Sequence, residues 1–324
     1  LKLIFLTGHR KSGTTLLHKL YDGHPQLCVY PVDAGLFYAY FPAFTSDPDI
    51  DDGKLVERAC NVICKSFSQV DAGIDEAEFA DLFRERLGSC NLRNKSEVLK
   101  ALIGSWQNFV DADPDLPVLI KETSQVIYFN EFQSAFPEIR MVNLLRDPRD
   151  NYSALKAGVQ KYYSKLGEGD FETLASLINR ARMDFRAGLH NASIAPTAFC
   201  NLRFEDLTAN PKKSMERLAS FVGITFDECL LEPTMLGRSF SGNNLDGEKF
   251  EGVSAANTSR WRERISPEEA MIIEYWLDAE MKAAGYDAAY SMDECQEAFG
   301  AFYAWYNTRY FFNDAFADKN LRKP

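Results

Sequence analysis

Two separated groups of cationic and hydroxyl residues, each at the end of an apolar run, have the types and spacing to handle phosphate. The first is Thr7-Gly8-His9-Arg10-Lys11-Ser12-Gly13-Thr14-Thr15-Leu16-Leu17, preceded by Leu3-Ile4-Phe5-Leu6. That apolar run reads as a strand buried on both faces. Behind the loop, Leu16, Leu17 and Leu20 recur at helical spacing. Strand, glycine-bearing loop and helix together build an anion site: glycines let the backbone curl, N–H groups point inward, and the positive end of the helix dipole faces the ligand. The second group is Arg146-Asp147-Pro148-Arg149-Asp150, where the apolar run Met141-Val142-Asn143-Leu144-Leu145 gives way to a helix opening near Asp150. A guanidinium at that point offers a planar fork of donors that matches phosphate oxygens.

Gly8 and Gly13 have the spacing of a P-loop, yet Thr14 stands where that motif needs lysine, and the cation sits inside the loop as Lys11. Relocating the lysine argues against ordinary ATP chemistry. At these residues the chain resembles the sulfotransferases that use 3′-phosphoadenosine 5′-phosphosulfate (PAPS), whose phosphosulfate loop reads G-x-[PR]-[KR]-S-G-T-T-x-L. The resemblance implies that Arg10, Lys11, Ser12, Gly13, Thr14 and Thr15 hold the 5′ end of PAPS, with Lys11 meeting charge on the leaving oxygen. Arg146 and a serine one or two helical turns later would grip the 3′-phosphate. The family's serine falls on Ala154 here, one position after Ser153, and one residue is about 100° of helix rotation. Ser153 is therefore the candidate hydroxyl, with Tyr152 or Lys156 as substitutes. Arg260 and Arg262, flanking Trp261, are candidates for a further 3′-phosphate contact. Asp33 is the nearest match to the carboxylate that takes the acceptor's proton, although by counting from Lys11 the family's glutamate falls on Val32; Lys121 could support the leaving phosphate, and Glu122 is an alternative base. No metal is expected, because sulfate carries less charge than a terminal phosphate.

The elements that must position these residues read as one α/β architecture: a central parallel sheet flanked by helices, a three-layer sandwich like that of P-loop NTPases. A second strand at Leu27-Cys28-Val29-Tyr30 delivers Asp33, and His24 reads as a turn residue. A third strand at Pro117-Val118-Leu119-Ile120 delivers Lys121, and a later one is Ala198-Phe199-Cys200-Asn201-Leu202. Between the second and third strands, residues 35–117 read as a helical insertion, a natural acceptor pocket or lid. Glu205 and Asp206 read as architecture. Residues 239–258 have no periodicity and read as a mobile loop, and a helix then runs from Ser266 to Ala284. The expected plan is a single domain over 1–290 and an aromatic helical extension over 291–324. In the extension Phe299, Phe302, Tyr303, Trp305 and Tyr306 are followed by Tyr310, Phe311, Phe312 and Phe316. Such a segment would pack across the domain, form a homodimer interface, or wall the acceptor pocket, in that order of preference.

Composition narrows the function further. The chain has 324 residues, 46% hydrophobic and 26% charged, with a formal net charge of −11. That charge argues against nucleic acid as a partner, so a doubly phosphorylated nucleotide must meet a local basic cluster. Seven cysteines without paired spacing suggest free thiols and a cytoplasmic setting. No apolar run suits a membrane span. The chain as given opens at Leu1, which leaves a trimmed leader or anchor open. The acceptor is expected to be a hydroxyl or amine of a small molecule or carbohydrate. The other readings are a P-loop small-molecule kinase and a non-catalytic nucleotide-binding or scaffold module.

Overall fold

The computed structural model describes residues 1–68, 73–158, 170–240, 242 and 252–307. Its centre is a five-stranded sheet in the order β2-β3-β1-β4-β5, with every neighbouring pair parallel. The strands are β1 (Leu3–Gly8), β2 (Cys28–Asp33), β3 (Val118–Lys121), β4 (Arg140–Leu145) and β5 (Phe199–Arg203). Every residue of the central β1 is buried, which is why its sequence is a continuous apolar run rather than an alternating one.

Leu3 and Phe5 enter a core on one face with Tyr30, Trp106 and Phe132, while Ile4 and Leu6 enter a second core with Leu17, Leu20 and Leu202. Helices cover both faces. Helix α1 (Thr14–Leu20) lies on the second. On the first lie α2 (Asp52–Ser68), α3 (Glu76–Leu87) and α4 (Lys95–Phe109), which follow β2 and precede β3. The α/β class and three-layer arrangement expected from the sequence are thus observed.

Strand β2 runs on through Pro31 to Asp33, further than its apolar run implied. Proline is tolerated because β2 is an edge strand, where one face of the ladder needs no donor. The extension, with an irregular register between Val29 and Asp33, sets Asp33 opposite Lys121.

On the other side of the sheet, Asn143 of β4 donates Nδ2 to Asn201 Oδ1 of β5 at 2.9 Å. Two further helices are α5 (Pro148–Lys156) and α6 (Asp170–Ile194). Helix α6 comes so close to this pair that a Cβ at Gly188 would lie 2.4 Å from Asn143 Nδ2, so glycine is what lets it dock.

Helices α7 (Pro267–Ala283) and α8 (Met292–Tyr306) each open on a capping box, at Ser266 and Ser291. Phe299 of α8 stacks on Tyr275, Phe302 meets Phe171 edge-on, and both join a third core with Tyr152 and Trp261. The described part of the aromatic extension therefore packs on its own chain; Tyr310, Phe311, Phe312 and Phe316 lie outside the described residues, as do 241 and 243–251 of the expected loop. Among the described residues no helix is long and apolar enough to cross a membrane.

Candidate functional site

All five strands present their carboxyl ends to one edge, and the loops that leave them build the site. Between β1 and α1 the chain turns through His9–Gly13, with Ser12 N donating to His9 O at 3.1 Å. Gly13 has a φ of 96°, and a Cβ there would lie 2.4 Å from Phe204 Cδ2. Glycine is required on both counts. Lys11 takes a φ of 63° without glycine's freedom, a conformation costing about 1–2 kcal/mol that surrounding contacts must hold. Two do so. Arg146 Nη1 donates to Lys11 O, and Asn151 Nδ2 donates to Arg10 O, both at 2.7 Å. The segment bearing the second cationic group thus clamps the carbonyls of the first.

Arg146 follows β4, and α5 begins with Pro148 at its first position and Asp147 as its cap, accepting from Arg149 N at 2.9 Å. Arg146 Nη2 donates to Asn257 O at 2.6 Å. Asp150 accepts from Ser259 N at 2.6 Å and from Trp261 N at 2.8 Å. The carboxylate of Asp150 serves these N–H groups rather than an ion pair with Arg146, and segment 257–261 is thereby tied to α5.

These segments enclose a first cleft. Lys11, Arg146, Arg260 and Arg264 bring cations to its walls, Ser153 a hydroxyl, and Phe204 and Phe240 flat apolar faces. A second cleft adjoins it, lined by Arg10, Thr14, Thr15, Asp33, Tyr38, Lys121 and Thr123. There the buried Lys121 ammonium pairs with Asp33 Oδ1 and donates to Thr15 Oγ1 at 3.3 Å. The Asp33 carboxylate stays about half exposed, at 48%. Lys11 and Gly13 line both clefts. Burial lowers the Lys11 pKa, and the charges of Arg146 and then Lys121 push the same way, as expected for an ammonium among like charges.

A family model described as the sulfotransferase family matches residues 4–228. The chain belongs to the sulfotransferase family. The match takes in both cationic groups of this sulfotransferase-family chain but stops short of Arg260 and Arg264. Among solved structures, it resembles the sulfotransferase domain of the olefin synthase from Synechococcus PCC 7002, at 16% identity and a TM-score of 0.59, covering 89% of this chain and 95% of that one. It also resembles the sulfotransferase domain from the curacin biosynthetic pathway, at 18% identity and a TM-score of 0.59, covering 88% and 97%. At these identities the likeness is one of fold.

In this sulfotransferase-family chain the residues singled out from the sequence fall into three sets. Lys11, Gly13, Arg146, Ser153 and Arg260 meet at the first cleft. The helix does not turn Ser153 away, for Ser153 and Ala154 both line that cleft. Tyr152 and Lys156 line neither cleft; both donate to Glu269 Oε1, at 2.5 and 2.7 Å. Arg10, Thr14, Thr15, Asp33 and Lys121 meet at the second cleft, where the Arg10 guanidinium lies 5.2 Å from the Tyr38 ring centroid.

Ser12 and Arg262 line neither cleft. Ser12 Oγ is buried beneath the loop, 2.8 Å from where a Cβ on Gly8 would be. Arg262 lies exposed with its guanidinium 4.4 Å from the Trp261 ring centroid. Arg264 was missed, although the signal was there: it is four residues from Arg260 and so shares a helical face with it, which Arg262 does not.

Glu122 lines neither cleft. It is buried, and its Oε1 accepts from Phe37 N at 2.8 Å and Tyr38 N at 3.0 Å. Burial, with the charge of Asp33 adding, pushes its pKa up to about 8. These two bonds fix the turn that carries Tyr38. His24 is a turn residue, its Nε2 lying 2.9 Å from Thr225 O. Glu205 accepts from Asp147 N at 3.0 Å and from Tyr286 OH at 2.9 Å, an architectural role.

Proposed function

We propose that the chain transfers a sulfuryl group from PAPS to a hydroxyl or amine of a small-molecule or carbohydrate acceptor. The observation that carries this is the position of Lys11 on the walls of both clefts, where a group passing from one to the other must cross. The first cleft carries groups suited to a nucleotide bearing phosphate at both ends. Lys11 and the Gly13 turn serve one end, and Arg146, Ser153, Arg260 and Arg264 the other, with Phe204 and Phe240 offering faces to a purine. A guanidinium has five donor hydrogens, so Arg146 keeps donors beyond those given to Lys11 O and Asn257 O. When bound, PAPS supplies the activated sulfuryl group.

The chain's own residues do the rest. Lys11 meets the negative charge that grows on the departing oxygen, and the hydroxyls of Thr14 and Thr15 hold the 5′ end. Asp33 accepts the proton of the acceptor, and Lys121 orients that carboxylate through their ion pair.

Transfer of labelled sulfate from PAPS to a panel of alcohols, phenols, amines and sugars tests this, with Lys11→Ala as the decisive variant. Loss of one preorganised donor of this kind costs about 10²–10³ in rate. Transfer at an undiminished rate overturns the assigned role, and activity that needs ATP and Mg²⁺ instead identifies a kinase.

A further inference from the structure

Phe240, one of the two flat apolar faces in the first cleft, closes a small antiparallel hairpin. Strand β6 (Thr234–Met235) pairs with β7 (Arg238–Ser239), and Phe240 N donates to Pro233 O at 2.9 Å to extend the ladder. Leu236 and Gly237 make the turn between them, with φ of 50° and 75°. A two-residue turn that matches the twist of its strands requires both values to be left-handed, and only glycine adopts them freely. So short a hairpin is not stable in water by itself. A contact from outside must hold it.

That contact is Asp22, in the turn that leaves α1. The side chain is buried, and its Oδ2 accepts from Thr234 Oγ1 at 2.7 Å and from Gly237 N at 3.0 Å. One charged oxygen thus ties the first strand of the hairpin and its left-handed turn to the end of α1, and bonds to a charged acceptor are the stronger kind. Lys19 of α1 supports the other end. Its Nζ donates to Pro31 O at 2.6 Å and lies 5.9 Å from the Phe240 ring centroid, within reach of a cation–π contact. Burial lowers the Lys19 pKa to about 8, with the charge of Asp22 opposing, so the group is an ammonium at neutral pH. Neither Asp22 nor Lys19 lines the cleft. The helix that opens at Thr14, beside the cationic loop, therefore fixes at its far end a ring on the wall of the same cleft.

We propose that Asp22 is a positioning residue for the nucleotide. Through the hairpin, and with Lys19 against the ring, it sets Phe240 where a purine can lie on it, and so governs the share of donor affinity that comes from the base. The inference rests on the reading of the first cleft as the nucleotide site.

Isothermal titration of adenosine 3′,5′-bisphosphate into the full chain tests this, with Asp22→Ala, Thr234→Val and Phe240→Ala as single variants and each of the first two combined with Phe240→Ala. Asp22→Ala removes both bonds and is expected to weaken binding about tenfold; Thr234→Val removes one donor from a side chain of similar shape and is expected to weaken it about threefold. In the Phe240→Ala background either change is expected to cost less than about twofold, because the ring it would misplace is gone. An aspartate that only stabilises the fold would lower affinity equally in both backgrounds. Should Asp22→Ala fail to fold, the Thr234→Val cycle decides. Absence of binding by the unaltered chain overturns the donor reading and this inference with it. A Phe240→Ala chain that binds like the unaltered one overturns the purine face assigned to Phe240 and this inference. Binding that neither Asp22→Ala nor Thr234→Val weakens, or a loss that persists in full without Phe240, overturns this inference alone.

Discussion

Arg146 donates to the carbonyl of Lys11 at 2.7 Å, joining two cationic groups that lie 135 residues apart in the chain. One side chain therefore braces the strained loop, holds segment 257–261 through Asn257 O, and still faces the first cleft. Arg146→Lys keeps the charge but loses the fork, so neither brace can be rebuilt fully. Each lost charge-assisted bond costs about 1.5–3 kcal/mol. Both the thermal midpoint and the affinity for adenosine 3′,5′-bisphosphate are expected to fall, the latter more than about tenfold. Scanning calorimetry and isothermal titration of the variant read the two effects.

The two arginines that follow Trp261 on its short helix should behave differently. Arg264 lines the cleft, whereas Arg262 lies outside it against the Trp261 ring. Arg264→Ala is expected to weaken binding of the bisphosphate about tenfold or more, with Arg262→Ala close to the unaltered chain. Equal losses for the two would contradict the geometry.

Asp33→Asn removes the only acidic side chain lining the second cleft among the described residues. It also leaves the buried Lys121 ammonium without its ionic partner. Transfer is expected to fall by about 10²–10⁴, the range for losing a general base, while nucleotide affinity is kept. A loss confined to acceptor KM would mean that Asp33 only binds.

Glu122 sets a pH signature on stability. Its pKa in the folded chain is raised from 4.5 to about 8, so the native state holds a proton that the unfolded chain has already released. The stabilising contribution is present in full below 4.5 and is lost as pH rises through about 8. The slope in that window is on the order of 1 kcal/mol per pH unit. Glu122→Gln retains an acceptor for Phe37 N and Tyr38 N without the charge. Urea unfolding is expected to show the variant gaining on the unaltered chain between pH 5 and pH 8, with no gain at the acid end.

Much of this arrangement is legible in the sequence because its parts are local. The buried run ahead of Gly8, the inserted Lys11 and the strand into Arg146 each lie within a few residues, and a parallel sheet brings such strand ends to one edge. What was not legible depends on contacts between distant segments. Nothing in the string Lys121-Glu122-Thr123 reveals that Lys121 faces the cleft while Glu122 turns to the N–H groups of Phe37 and Tyr38. Ser12 reads as a loop hydroxyl, yet the close pass of Gly8 puts its side chain beneath the turn. The bracing role of Arg146 required knowing that Asn257 returns to it.

The claim on which all of this depends is that one cleft grips both ends of a doubly phosphorylated nucleoside. Isothermal titration with adenosine 3′,5′-bisphosphate and with adenosine 5′-monophosphate measures it without any acceptor. The account predicts binding of the bisphosphate that weakens by about 10² or more when the 3′-phosphate is absent, with the difference shrinking when Arg260 and Arg264 are both replaced by alanine. Equal affinity for the two nucleotides, or a difference that survives that double replacement intact, would contradict it.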